Sequence, residues 1–211
     1  MDIDFFQIAI GLVVLLVSLT VHEAAHAWSA DRLGDATARR LGRVSFNPAV
    51  HIDPVGTIAF PLIAMATNLP LIGWAKPVPV NTQQLGPAWK QKFMAISAAG
   101  PASNLALAIV GALVLQVVTG IGADPAIGDY PVSGILRLFV SLNVFLAVFN
   151  MVPLPPLDGG NVLSGLLSGP ASQLFDSVRP YGFLILYALM FTGTLWSLIS
   201  PPASLLLSVL L

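Results

Sequence analysis

The sequence predicts an all-α polytopic membrane protein, a bundle of about four to six transmembrane or re-entrant helices. Three observations predict it. The 211 residues include only 9 basic and 10 acidic side chains, 9% of the chain, against roughly 25% in ordinary soluble domains. The apolar fraction is 56% and the mean hydropathy +0.85. The charges fall in clumps, and the uncharged gaps between them are long enough for spans of about 20 residues. Such a composition excludes a disordered chain, a basic nucleic-acid binder and an ordinary soluble enzyme. With a net charge of −1, no strongly charged partner is implied. Because cysteine is absent, disulfides, thiolate metal sites and cysteine catalysis drop out. The 18 glycines and 17 prolines exceed what a plain bundle of spanning helices needs.

Taken in order, Phe5 to His22 is uncharged, and Glu23 alone interrupts the stretch to Ala30. This is the first span. Its acidic start (Asp2, Asp4) and internal charged motif argue against a signal peptide. Arg32, Arg39, Arg40 and Arg43 follow it, which places its C-terminal end in the cytoplasm by the positive-inside rule. Pro54 to Ala75 is uncharged but lies between these arginines and Lys76, Lys90 and Lys92. Both of its ends are then cytoplasmic, so a re-entrant segment or short hairpin is expected, broken by Pro54, Pro61 and Pro70. Phe93 to Ala123 runs outward, the loop with Asp124 and Asp129 is external, and Leu138 to Leu157 returns. Arg137, at an outer end, is the exception to the charge rule. Pro180 to Leu211 is uncharged, and Ser200-Pro201-Pro202 is expected to cut it into one span and a short tail. Trp28, Trp74 and Trp89 would form an aromatic belt at the inner interface. No soluble domain or repeat is evident, so 1–211 reads as a single membrane domain.

The chemistry begins at His22-Glu23-Ala24-Ala25-His26, an H-E-x-x-H pattern. Four helical residues turn through about 400°, so His22 and His26 share a face. Two imidazoles so placed can bind one zinc ion, with Glu23 beside them as a base. The bland alternative is a chance match with histidines at a helix end. Against it, ionisable groups at membrane depth cost roughly 2.5–3.5 kcal/mol on insertion scales and tend to be functional. Glu23 is also the sole glutamate of the chain.

A catalytic zinc has three protein ligands and an open position. Candidates for the third are His51 and nine aspartates. Asp158 stands out within Asn150-Met151-Val152-Pro153-Leu154-Pro155-Pro156-Leu157-Asp158-Gly159-Gly160, where prolines end an apolar segment and glycines permit a tight turn. It shares the cytoplasmic depth of His26. Helix capping from about Gly160 is the competing role for Asp158. His51 and Asp53 could bind a second metal, orient a ligand or gate the site, but a structural loop built on Asp53-Pro54 is favoured. Asn104, in the apolar helix after Gly100-Pro101, reads as interhelical support.

These motifs resemble the site-2 protease family, the intramembrane zinc metalloproteases of peptidase family M50, in its compact bacterial form without appended PDZ or CBS domains. The resemblance rests on the H-E-A-A-H helix, Asn47-Pro48, His51-Ile52-Asp53-Pro54-Val55-Gly56-Thr57, Gly73-Trp74-Ala75-Lys76-Pro77-Val78-Pro79-Val80-Asn81, Ala98-Ala99-Gly100-Pro101-Ala102-Ser103-Asn104 and the Asn150–Gly160 segment. It implies one catalytic Zn²⁺ held by His22, His26 and Asp158, with Glu23 as general base and later proton donor. It implies that Asn150 holds substrate or polarises the scissile carbonyl. The Gly73–Asn81 stretch would be a small membrane-associated β-hairpin or loop. The catalytic core would be about 5–168, followed by C-terminal helices over 180–211. The implied activity is hydrolysis of transmembrane or membrane-associated proteins near the cytoplasmic side of the cell membrane, as in regulated intramembrane proteolysis. The implied partners are a transmembrane protein substrate and the lipid bilayer, with no nucleic acid; a second copy or a regulatory membrane protein is left open. The alternatives are a catalytically inactive metal-binding relative and a metal transporter, which would need several intramembrane ligands along a path.

Overall fold

The structure is a computed structural model that describes residues 5–60, 62–63, 75–122 and 124–211. The expected re-entrant path over 64–74, with Pro70, Gly73 and Trp74, lies outside the described residues, as do Asp2, Asp4 and Pro61.

Helix α1 (Phe5–Arg32) is the proline-free first span, and a short α2 (Thr37–Arg40) follows it. Asn47 caps a 3₁₀ turn at Pro48–Val50 through its side chain, and Asp53 caps a π-helical turn at Pro54–Ala59. Residues 75–81 have no regular structure, and a 3₁₀ turn at Thr82–Leu85 leads to α3 (Trp89–Gly120). A two-stranded antiparallel ribbon, β1 (Ala126–Ile127) and β2 (Tyr130–Pro131), joins α3 to α4 (Val132–Asn150). An irregular proline-rich stretch then precedes α5 (Asp158–Leu166), α6 (Gly169–Val178), α7 (Gly182–Phe191) and α8 (Thr194–Leu210).

Four stretches are long and apolar enough to cross a bilayer among the described residues: Phe6–Arg32, Trp89–Gly120, Val132–Asn150 and Gly169–Phe191. The chain is thus an all-α, multi-pass membrane protein. Helix α3 is its centre, packed against α1, α4 and α5. At 32 residues it is about 48 Å long, more than the roughly 30 Å hydrocarbon core requires.

Two expectations need correction. The C-terminal stretch is not cut at Ser200-Pro201-Pro202, because α8 continues through both prolines. The break falls at Gly193, which takes the left-handed conformation (φ 74°) that favours glycine and ends α7. Proline's own φ suits a helix; the pair removes two backbone donors midway along α8, and in lipid a continuous helix still keeps more backbone bonds than an open break would. The described part of the stretch expected as a β-hairpin or loop, residues 75–81, is the loop; the two-stranded ribbon lies at 126–131, and Pro77 and Pro79 would each remove a ladder donor from a strand at 75–80. The span expected to start at Leu138, the third of the four, begins at Val132, so Arg137 sits exposed within α4.

Candidate metal centre

On α1, His22 and His26 are one turn apart and both buried, with their rings edge to face at 4.6 Å between centroids. Their Nε2 atoms are 3.0 Å apart. Asp158, in the first turn of α5, brings Oδ2 to 3.2 Å from His22 Nε2 and 3.3 Å from His26 Nε2. Leu157, not Asp158, holds the cap position of α5, and no side chain caps that helix. The capping role considered for Asp158 is therefore not the one it plays.

The spacing fits a metal. Tetrahedral ligands about 2.0–2.2 Å from zinc lie about 3.4 Å from one another, close to the three separations seen here. Tautomer control fits as well. His22 Nδ1 donates to Asn104 Oδ1 at 2.6 Å, and His26 Nδ1 donates to the Ile96 carbonyl at 2.7 Å. With Nδ1 carrying the proton on each ring, both Nε2 lone pairs face Asp158. Among the described residues, His22, His26 and Asp158 form the one group of three such side chains able to hold a metal ion.

Helix α3 supplies the supports from one face, because Ile96, Gly100 and Asn104 are four residues apart. Gly100 lies against both imidazoles. A Cβ there would come within 2.6 Å of His22 Nε2 and nearer still to His26 Nε2, so only glycine permits this approach. Asn104 is fully buried, and its amide also donates to the Ser18 carbonyl (3.2 Å) and to Asn143 Oδ1 (2.8 Å). Asn143 in turn donates to Ser18 Oγ at 2.9 Å. Three helices are thus joined by one satisfied polar network behind His22. On the Asp158 side, Cβ atoms on Gly159 and Gly160 would collide with the backbone of Met151–Pro155; the glycines let the turn fold tightly beneath the carboxylate.

Glu23 is buried beside His22, and its Oε2 accepts the Val78 N–H at 3.1 Å. The irregular stretch carrying Val78 is pinned along its length. The Lys76 N–H donates to the His51 carbonyl (2.9 Å), Arg43 donates to the Lys76 carbonyl, and the Asn81 N–H donates to buried Asp35 (2.6 Å).

The remaining candidates lie elsewhere. His51 is buried, but its Nε2 bonds the Ser45 carbonyl at 2.8 Å and its Nδ1 has no partner. Asp53 Oδ1 accepts from Val55 and Gly56 as the cap of the π-helical turn. Asn150 ends α4, and one of its amide hydrogens goes to the Leu146 carbonyl at 2.9 Å. Ser18 and Asn143 carry no signal of their own in the sequence, and Arg43 figures there only as a topology charge. The one cue to Ser18 is its place one turn before His22, on the same face.

Comparison with known proteins bears on this geometry. The model of "Peptidase family M50" matches residues 126–193, a stretch that holds Asn150 and Asp158 but not the paired histidines. "Putative zinc metalloprotease YwhC" of Bacillus subtilis is 36% identical over 185 residues, covering 86% of this chain and 80% of that protein. The chain belongs to peptidase family M50. Rip2 of Mycolicibacterium smegmatis, described in the same words, is 33% identical over 183 residues, covering 85% of this chain and 66% of Rip2. A "Zinc metalloprotease" of Methanocaldococcus jannaschii is 26% identical over 176 residues, 83% of this chain but 37% of that longer protein. No solved structure matches. As an M50 member, the chain is a zinc metalloprotease of the multi-pass membrane type.

Proposed function

We propose that this M50 protein cleaves transmembrane or membrane-associated proteins near the cytoplasmic side of the cell membrane, in regulated intramembrane proteolysis. The observation that carries the reading is the convergence of His22 Nε2, His26 Nε2 and Asp158 Oδ2 within 3.0–3.3 Å, beside Glu23, at the end of a spanning helix. His22, His26 and Asp158 hold a single zinc ion. When bound, zinc lowers the pKa of its water to about 7 and polarises the substrate carbonyl.

The chain's own residues do the rest. Glu23 takes a proton from the attacking water and later hands it to the leaving amide nitrogen. The Val78 N–H keeps one oxygen of Glu23 in place through this exchange. Asn104 and the Ile96 carbonyl hold the imidazoles in the tautomer that offers Nε2. Asn150, by turning its amide from the Leu146 carbonyl, offers a donor to the scissile carbonyl. A helical substrate has its carbonyls occupied by internal bonds and must unwind before attack; the irregular 75–81 stretch is the backbone on which an unwound segment would lie.

Glu23→Gln is the test. Zinc content should equal that of the parent, and cleavage of a membrane-embedded reporter should fall by about 10²–10⁴. Cleavage at the parental rate would reject the mechanism. Membrane proteomes of parent and variant cells would then show which proteins accumulate uncut.

A further inference from the structure

One turn along α5 from Asp158 lies a second, chemically different cavity of about 220 Å³. Trp89 and Lys90 at the start of α3, Asn161 and Ser164 of α5 and Arg179 after α6 line it, with Asp176 also in its wall. Its cations are poorly used. The Lys90 ammonium donates once, to Ser172 Oγ at 3.1 Å, and sits 5.7 Å from the centre of the Trp89 ring. The Arg179 guanidinium reaches Asn161 Oδ1 at 3.4 Å and Asp176 at 3.9 Å, both long. Two cations face one carboxylate, and most of their donors remain unspent, as do the hydroxyls of Ser164 and Thr82 among the described contacts.

The level of the cavity says what kind of anion reaches it. Trp89 and Lys90 open a spanning helix at its lysine-bearing end, where tryptophan and basic side chains meet the headgroup layer; sharing a cavity with them puts Asp176 and Arg179 at the same level, so the Gly169–Phe191 stretch enters the apolar layer only with α7. Basic pockets between spanning helices on the cytoplasmic side suit anionic headgroups. Arginine's fork and lysine's point charge are the usual pair for a phosphate. We propose that this cavity binds the phosphate of an anionic lipid headgroup. Its position gives the bound lipid a mechanical role, which rests on the metal-centre reading above. A phosphate bridging Lys90 to Arg179 ties α3, which supports both histidines, to the α5–α6 unit that carries Asp158.

The test uses the full chain in nanodiscs of phosphatidylcholine, with or without phosphatidylglycerol, and counts retained lipid by native mass spectrometry alongside the unfolding midpoint. Phosphatidylglycerol should be retained and raise the midpoint. K90M/R179Q should weaken retention about thirtyfold, and D176N should strengthen it about fivefold, as expected for about 1 kcal/mol per charge near a headgroup. R40Q removes an exposed charge outside the cavity and should have a far smaller effect than R179Q. Retention indifferent to K90M/R179Q and to D176N would overturn the site. Inorganic phosphate in pure phosphatidylcholine discs producing the same midpoint shift would assign the cavity to free phosphate and overturn the lipid. Glu23→Gln protein must retain the lipid like the parent, so binding is read independently of proteolysis. Reporter cleavage by the parent that is equal in both discs, with binding intact, would overturn the bracing role alone.

Discussion

The protein buries all three of its histidines, in two very different settings. His22 and His26 spend Nδ1 on supports from α3 and turn Nε2 toward one carboxylate. His51 is at least as buried, yet it spends Nε2 on a loop carbonyl and leaves Nδ1 unpaired. Burial is common to both; convergence of donors is not. The lesson is that a buried histidine becomes a candidate ligand when another group fixes its far nitrogen and a carboxylate faces the near one.

The sharpest way to break this contrast is to exchange the outcomes. His26→Ala should abolish both zinc retention and proteolysis, while His51→Ala should retain zinc at the parental level; metal analysis of both purified variants checks this. Zinc lost equally from both would place His51 in the metal site. Next in size is Gly100→Ala. The added methyl must push α3 away from both imidazoles, and zinc affinity should fall on the order of a hundredfold, measured by competition with a chelator. Asn104→Ala removes the Nδ1 acceptor of His22 without touching the donor atoms, and a loss of about tenfold is expected. An unchanged affinity would show that the network is packing alone. The last effect is on stability and not on zinc: His51→Ala should cost about 1–3 kcal/mol from the Ser45 carbonyl left without a partner, read as a lowered unfolding midpoint.

Much of the bundle was legible because hydropathy and charge write spans directly into one dimension. The paired histidines were legible for a similar reason: a four-residue spacing encodes a shared face within one helix. Asp158 could be singled out by scarcity, since few carboxylates lie near membrane depth and this one follows a proline-rich break. The supports were harder to see. Asn143 bonds Ser18 across 125 residues, and a lone amide in an apolar helix has no periodicity that names its partner. Asn104 read only as support, without the ring it supports. The C-terminal break was misplaced because a proline pair is the louder signal, whereas the turn was decided by the backbone freedom of Gly193.

Ile96, Gly100 and Asn104 occupy one stripe of α3 and together set the posture of both rings. Turning α3 by a single residue, about 100°, would remove both acceptors and drive a side chain into the imidazoles at once. Competence is therefore nearly all-or-none with respect to how this helix is seated. A nascent chain whose third helix has not yet docked cannot assemble the pair, so a half-inserted molecule is born inert and acquires its hazard only when its architecture is complete.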